Sequence, residues 1–327
     1  MSLFGRQEIA RFLDAAERGN LAVVKRYLSE GMEVDAIPGG FSQQTALQKA
    51  AFRGHLELLC VLLEAKANIE AKDLHNRTAL RLAAENGHVS CVSYLLEKGA
   101  DFNNVGSMGE TALIDAASNG KIEVVDFFHQ KKDMTSTKKD NNDLVALHFA
   151  ASGGHCSTIQ LLLDNKCNIN VLDKDDQTPL HAAVYYGRLD AAKLLIEKGA
   201  DVNRKDKNED TALHLAVEKG HTGIVQALLT GGADINIPNK RKQTAFELAK
   251  RSGGCEAIFM GYLSMLLQRM PTGAGPSGNS NANVQKEKET LEEKAKRLEQ
   301  KEEELRRLQK ELDEERKKLS NDFEYIS

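Results

Sequence analysis

Apolar positions along this chain fall into short blocks that return in register. The segments TALQKA (from Thr45), TALRLA (Thr78), TALIDA (Thr111), VALHFA (Val145), TPLHAA (Thr178), TALHLA (Thr211) and TAFELA (Thr244) stand 33, 33, 34, 33, 33 and 33 residues apart. In each, a capping residue precedes small and large apolar side chains at helical spacing, which predicts a short helix. A glycine closes it, often with histidine behind (Gly54-His55, Gly87-His88, Gly220-His221), and a second apolar block predicts a second helix. Ends such as GADFN, GADVN and GADIN follow, and a polar turn led by Asp73, Asp140, Asp173, Asp206 or Asn239 opens the next unit.

A unit of this size has too little apolar face to close a core of its own. Leu180 and Ala183 on the first helix, with Leu194 and Leu195 on the second, must pack on their equivalents in neighbouring units, so the pattern predicts a stacked solenoid. Thr178 suits the N-cap, Pro179 the first helical position, and the glycine after the first helix a backbone with positive φ. His148, His181 and His214 share one phase and are expected to bond to neighbouring turns rather than to act in catalysis. With these motifs the chain resembles the ankyrin repeat over residues from about 8 to 270. A first unit is visible in LDAAERGNLAVVKRYLSEG, where Ala15, Ala16 and Gly19 keep the phase of Ala83, Ala84 and Gly87.

The expected fold is therefore all-α: an ankyrin-repeat solenoid with an N-terminal capping unit over 1–37 and seven further repeats over 38–270. One junction departs from the pattern. Between Phe127 and Val145 the GAD end is lost, one residue is added and valine replaces the capping threonine, so this stretch is expected to be the softest in the stack.

The resemblance implies a concave groove that binds a protein partner. Carried across by phase, the residues before the central glycines face it: Phe52 and Arg53, Glu85 and Asn86, Ser118 and Asn119, Tyr185 and Tyr186, Glu218 and Lys219. Neither helix packing nor the turn demands two tyrosines there, and tyrosine is enriched at interface hot spots. The alternative is that one ring leans back over a neighbouring helix and caps the core. The basic run Lys240-Arg241-Lys242 reads as a solvated turn tip.

Beyond Pro271 the composition changes. Residues 271–283 are rich in Gly, Ser, Asn and Pro and read as a flexible linker. Val284, Leu291, Leu298, Leu305, Leu312 and Leu319 then recur every seven residues, predicting a charged heptad helix over 284–323 ahead of a four-residue tail at 324–327. In a parallel homodimer Glu287 would meet Glu292, Lys294 would meet Glu299 and Lys301 would meet Arg306, two repulsive contacts and one attractive. Self-association is therefore expected to be weak at most, which leaves antiparallel pairing, a different partner helix or a lone charged helix, with the solenoid itself monomeric.

Charge and chemistry exclude more than they add. A net charge of −4 and a pI near 6.2 argue against nucleic acid or an anionic membrane as the main partner. The longest apolar run, Ala257 to Leu267, is too short to span a bilayer. The N-terminus lacks a basic start followed by an unbroken apolar core, so the expected location is cytoplasmic, with nuclear entry left open. Five cysteines, none in a C-x-x-C pair, read as small buried hydrophobes. No phosphate loop, nucleophile elbow or H-E-x-x-H motif occurs, and neither cofactor nor metal is expected. The sequence thus points to a non-enzymatic scaffold or adaptor with a partner in the groove and the C-terminal helix as a second contact. The alternative is a substrate-recognition subunit of a ubiquitin ligase or other modifying complex.

Overall fold

A computed structural model describes residues 4–38, 43–131, 138–142 and 144–269, with the side chains of 252 and 267–269 outside it. The expected linker, heptad helix and tail lie outside the described residues, as does the centre of the irregular 127–145 junction. The chain divides into a unit spanning Met1–Ser252 and a second spanning Gly253–Ser327.

Helices run in pairs through the first unit: α1 (Arg6–Glu17) with α2 (Leu21–Ser29), α3 (Ala46–Arg53) with α4 (Leu56–Glu64), α5 (Ala79–Asn86) with α6 (Val89–Glu97), and α7 (Ala112–Ser118) with α8 (Ile122–Gln130). The series continues with α9 (Ala146–Gly153) and α10 (Cys156–Asp164), α11 (Pro179–Tyr185) and α12 (Leu189–Glu197), α13 (Ala212–Glu218) and α14 (Thr222–Thr230), then α15 (Ala245–Ser252). Each first helix packs on the first helix of the next pair and on its own second helix. In the second unit α16 (Glu256–Arg269) carries the buried Phe259 and Leu263. No strand occurs among the described residues, only isolated bridges joining Lys205 to Thr211 and Pro238 to Thr244.

The core is the sequence phase made physical. Leu47, Leu80, Leu113, Leu147, Leu180 and Leu213 are all buried, as are the Ala pairs 50–51, 83–84, 116–117 and 150–151 on the same helices. Small residues there let neighbouring helices approach, and each repeat interface gains from the apolar area it removes from water. On α12 the buried residues are Ala191, Ala192 and Leu195, while Leu194 is half-buried. Cys91 and Cys255 are buried as expected, but Cys60, Cys156 and Cys167 are only half-buried. Burial pushes the Cys91 thiol up to about 11, which disfavours the nucleophilic thiolate at neutral pH.

Turns are held by one device. The lead carboxylate Oδ1 of Asp73 accepts from His75 N and Arg77 N, and Asp140, Asp173 and Asp206 do the same two and four residues on. From Met108 onward the turn tips are linked by backbone bonds: Asn141 N to Met108 O, Lys174 N to Asn142 O, Lys207 N to Asp175 O and Lys240 N to Asn208 O, each 3.0 Å.

Candidate functional site

The histidines of the shared phase are structural. His148 Nδ1 accepts from Val145 N at 3.3 Å and its Nε2 bonds Gln177 O at 3.1 Å; His214 makes the same pair of contacts with Thr211 N and Gln243 O. A ring that accepts through Nδ1 and donates through Nε2 is the neutral tautomer. His181 Nδ1 contacts Thr178, but its Nε2 closes no hydrogen bond. Burial holds all three below the ordinary imidazole value. Val145 offers no side-chain acceptor to its helix, whereas Thr178 Oγ1 accepts from His181 N. The second histidine set stacks on glycines of the preceding repeat. His55, His88 and His155 reach the carbonyls of Glu17, Phe52 and Ser118 at 2.9–3.0 Å. No group of three or more His, Cys, Asp or Glu fit to hold a metal occurs among the described residues.

The ten residues assigned to the groove divide into three kinds. Arg53 and Glu85 already have partners within the chain: Arg53 Nη2 lies 2.7 Å from Glu17 Oε1, and Glu85 Oε2 lies 3.1 Å from Arg77 Nη1. Asn86 and Asn119 belong to the same first kind, since they bond carbonyls of their own helices, Leu82 O and Asp115 O. Phe52 and Ser118 are half-buried, with the Arg53 guanidinium 5.2 Å from the Phe52 ring centre.

Tyr185, Tyr186, Glu218 and Lys219 form the third kind and are all exposed. Tyr185 ends α11 and Tyr186 caps it, with 46% and 57% of their surface open to solvent. The rings meet edge to face, centroids 5.1 Å apart, and Lys219 from the next repeat sets its Nζ 4.3 Å above Tyr185. This is a cation–π contact across a repeat boundary. Neither ring is buried in the core.

Two recesses meet at Tyr185. One, of about 300 Å³, is lined by Leu144, Phe149, Ala182 and both tyrosines, with His148 and Asp173 at its polar side. The other, of about 680 Å³, runs from Tyr185 along Glu218 and Lys219 to Lys240, Arg241 and Arg251. Both volumes lie within the roughly 300–1,000 Å³ range of small-ligand clefts. Phe149 and Leu144 belong to this surface although their sequence phase does not single them out; only the approach of neighbouring repeats brings them beside Tyr185 and Tyr186.

The family pattern described as ankyrin repeats (3 copies) matches residues 12–106, 71–138 and 113–206, and that of ankyrin repeats (many copies) matches 195–249. No curated protein matches the chain. Among solved structures, the ankyrin repeat domain of human ASB11 is similar at 27% identity with a TM-score of 0.59, over 72% of this chain and 100% of that one. Matches to 624 solved chains make the likeness a statement about the repeat and not about a partner. Repeats matched from 12 to 249 in a solenoid of paired helices show that the chain belongs to the ankyrin-repeat family.

Proposed function

We propose that this chain is a non-enzymatic scaffold or adaptor that holds a protein partner in its groove, centred on Tyr185 and Tyr186, with the C-terminal segment as a second contact. The observation that carries the reading is the adjacent pair of tyrosines, exposed at 46% and 57%, with Tyr185 lining both recesses and Tyr186 the smaller one. Each ring keeps about half of its surface open to solvent, and a partner that buries one gains about 1.5–3 kcal/mol.

Replacing Tyr185 with Ser and Tyr186 with Asn tests it. The partner is first recovered by affinity purification on the full chain and on a 1–270 truncation, which assigns it to groove or tail. The double variant is expected to keep its melting temperature and to bind the groove partner at least about tenfold more weakly. A lowered melting temperature with unchanged affinity would mean that the rings serve packing. A recognition subunit of a modifying complex would use the same groove; ligase components recovered through the tail, with substrate in the groove, would mark that alternative.

A further inference from the structure

The charges of the groove are arranged differently in its two halves. Near the N-terminus, cations of one repeat meet carboxylates of their own or a neighbouring repeat. Lys49 and Arg53 share Glu17, Arg77 reaches Asp73 and Glu85, and Arg81 lies 2.6 Å from Asp115. A partner docking there would have to compete with ion pairs already made.

In the C-terminal half Lys205 and Lys207 are paired with Glu209 and Asp175, but four other cations are left without a carboxylate. Among the described residues no carboxylate lies within ion-pair distance of Lys219, Lys240, Arg241 or Arg251, although all four line the larger recess. The acids beside them are mostly committed. Asp206 accepts from Asn208 N, Asp210 N and Gln177 Nε2, and Asp210 accepts from Asn239 Nδ2. Among the described residues that line this recess, Glu218 is an exposed carboxylate with no hydrogen bond or ion pair to its side chain. At the edge where the cations begin, Tyr185 closes the apolar slot of Leu144, Phe149, Ala182 and Tyr186.

Resting on the groove reading above, we infer that the partner segment is an acidic peptide carrying one large apolar or aromatic side chain. The anchor enters the slot between Phe149 and the tyrosines, and carboxylates beside it face Lys219, Lys240, Arg241 and Arg251. Open cations opposite acidic side chains give electrostatic complementarity and speed encounter, while the apolar anchor supplies the desolvated contact that fixes register. A polyanion without an anchor would leave the slot empty and meet Glu218. A basic or neutral peptide would leave four cations unpaired.

The test pans a phage-displayed library of random peptides, about twelve residues long, on the full chain. It then measures the strongest labelled peptide by fluorescence anisotropy against the full chain, Tyr185→Ser/Tyr186→Asn and Lys240→Glu/Arg241→Glu. Enriched sequences are expected to combine Asp or Glu with one Phe, Leu or Tyr. Both double variants should weaken binding by about tenfold or more, and affinity should fall as salt rises. Melting curves confirm that the variants fold, and the salt series on the unaltered chain gives a readout independent of them. Enriched peptides that are neutral or basic, yet need the tyrosines, would overturn this inference and leave the groove reading standing. Peptides indifferent to the tyrosines, or no enrichment over empty beads, would overturn both. An oligothymidine of similar length that binds as tightly as the peptide would overturn the choice of a peptide.

Discussion

Protonation of the buried histidines should make the solenoid lose stability in mild acid. Gln48 supplies the control, because it already stands in the same phase. Its Oε1 accepts from Thr45 N at 2.8 Å, and its Nε2 donates to Arg77 O at 2.8 Å, the bonds that His148 and His214 make in their own repeats. A side-chain amide makes them without titrating. Burial lowers the histidine values in the folded state, against the pull of Asp140 and Asp173 at His148 and of Asp210 and Asp206 at His214. A base whose folded value is depressed leaves the unfolded chain binding more protons. Its contribution is intact above the unfolded value near 6.5 and is lost as pH falls through the folded value. Each such histidine can remove up to about 1.4 kcal/mol per pH unit in that window, and two up to about 2.7. Urea unfolding midpoints of the unaltered chain and of His148→Gln/His214→Gln, taken at pH 7 and pH 5, read this out. The variant should match the parent at pH 7 and lose distinctly less stability at pH 5. Parallel losses in the two proteins would show that the imidazoles do not govern the acid response.

Two further perturbations separate local effects. Hydrogen bonds from Lys49 and then Arg53 pull the Glu17 carboxyl down to about 2, so its contribution is present above its unfolded value near 4.3 and is lost as pH falls towards 2. Because the pair is partly solvated, Glu17→Gln is expected to cost on the order of 1 kcal/mol at pH 7 and nothing near pH 2; a Glu17 titration midpoint near 4.3 by NMR would contradict the pairing. Gly99→Ala meets open space and should cost only the left-handed strain of about 1–2 kcal/mol. Gly54→Ala also displaces His88 from Phe52 O and should cost about 1 kcal/mol more, which equal melting shifts would refute.

Much of the fold was legible because a 33-residue phase repeats the same local physics. Thr178 and Pro179 start α11 where the pattern places them, and Gly54, Gly87 and Gly154 end helices with φ of 80, 86 and 80°. What phase alone does not carry is the meeting of side chains across repeats. Arg53 and Glu85 stand where the phase assigns groove positions, yet each pairs with a residue of the chain, because the stacking offset between units decides who meets whom. Val145 shows the same limit: the missing hydroxyl is visible in sequence, but the His148 ring that still receives the Val145 N–H is a consequence of helix geometry. The exposure of Tyr185 and Tyr186 follows from phase, whereas Phe149 and Leu144 join them only through packing of adjacent repeats.

Four positions spread over the third and fourth repeats depart from the pattern and make sense only together. Gly106 stands where Asp73, Asp140, Asp173 and Asp206 lead their turns, and Arg81 stands where His148, His181 and His214 stand. A Cβ at Gly106 would fall on Arg81 Nη1, so the glycine makes room for the guanidinium. With the lead carboxylate gone, Glu110 Oε2 accepts from Met108 N at 3.1 Å and keeps the turn tied. Arg81, buried like the histidines, grips Asp115 of the next repeat through bonds of 2.6 and 3.0 Å, at a position where other repeats place Leu82, Leu215 or Leu248. Any single reversion should therefore be costly. Gly106→Asp collides with the guanidinium, while Arg81→His strands the Asp115 carboxylate and Asp115→Leu leaves the buried Arg81 only Glu110 at 3.8 Å, each at about 3–5 kcal/mol. Gly106 does not use a left-handed backbone, so the triple variant Arg81→His/Gly106→Asp/Asp115→Leu can adopt the arrangement of the other repeats. Replacing a buried ion pair with packed apolar groups is often neutral or stabilising by about 1–4 kcal/mol, so the triple should recover most of what the singles lose. Urea midpoints of the three singles and the triple decide it. A triple variant as unstable as the sum of its singles would show that the three substitutions are independent and that Gly106 is not the seat of Arg81.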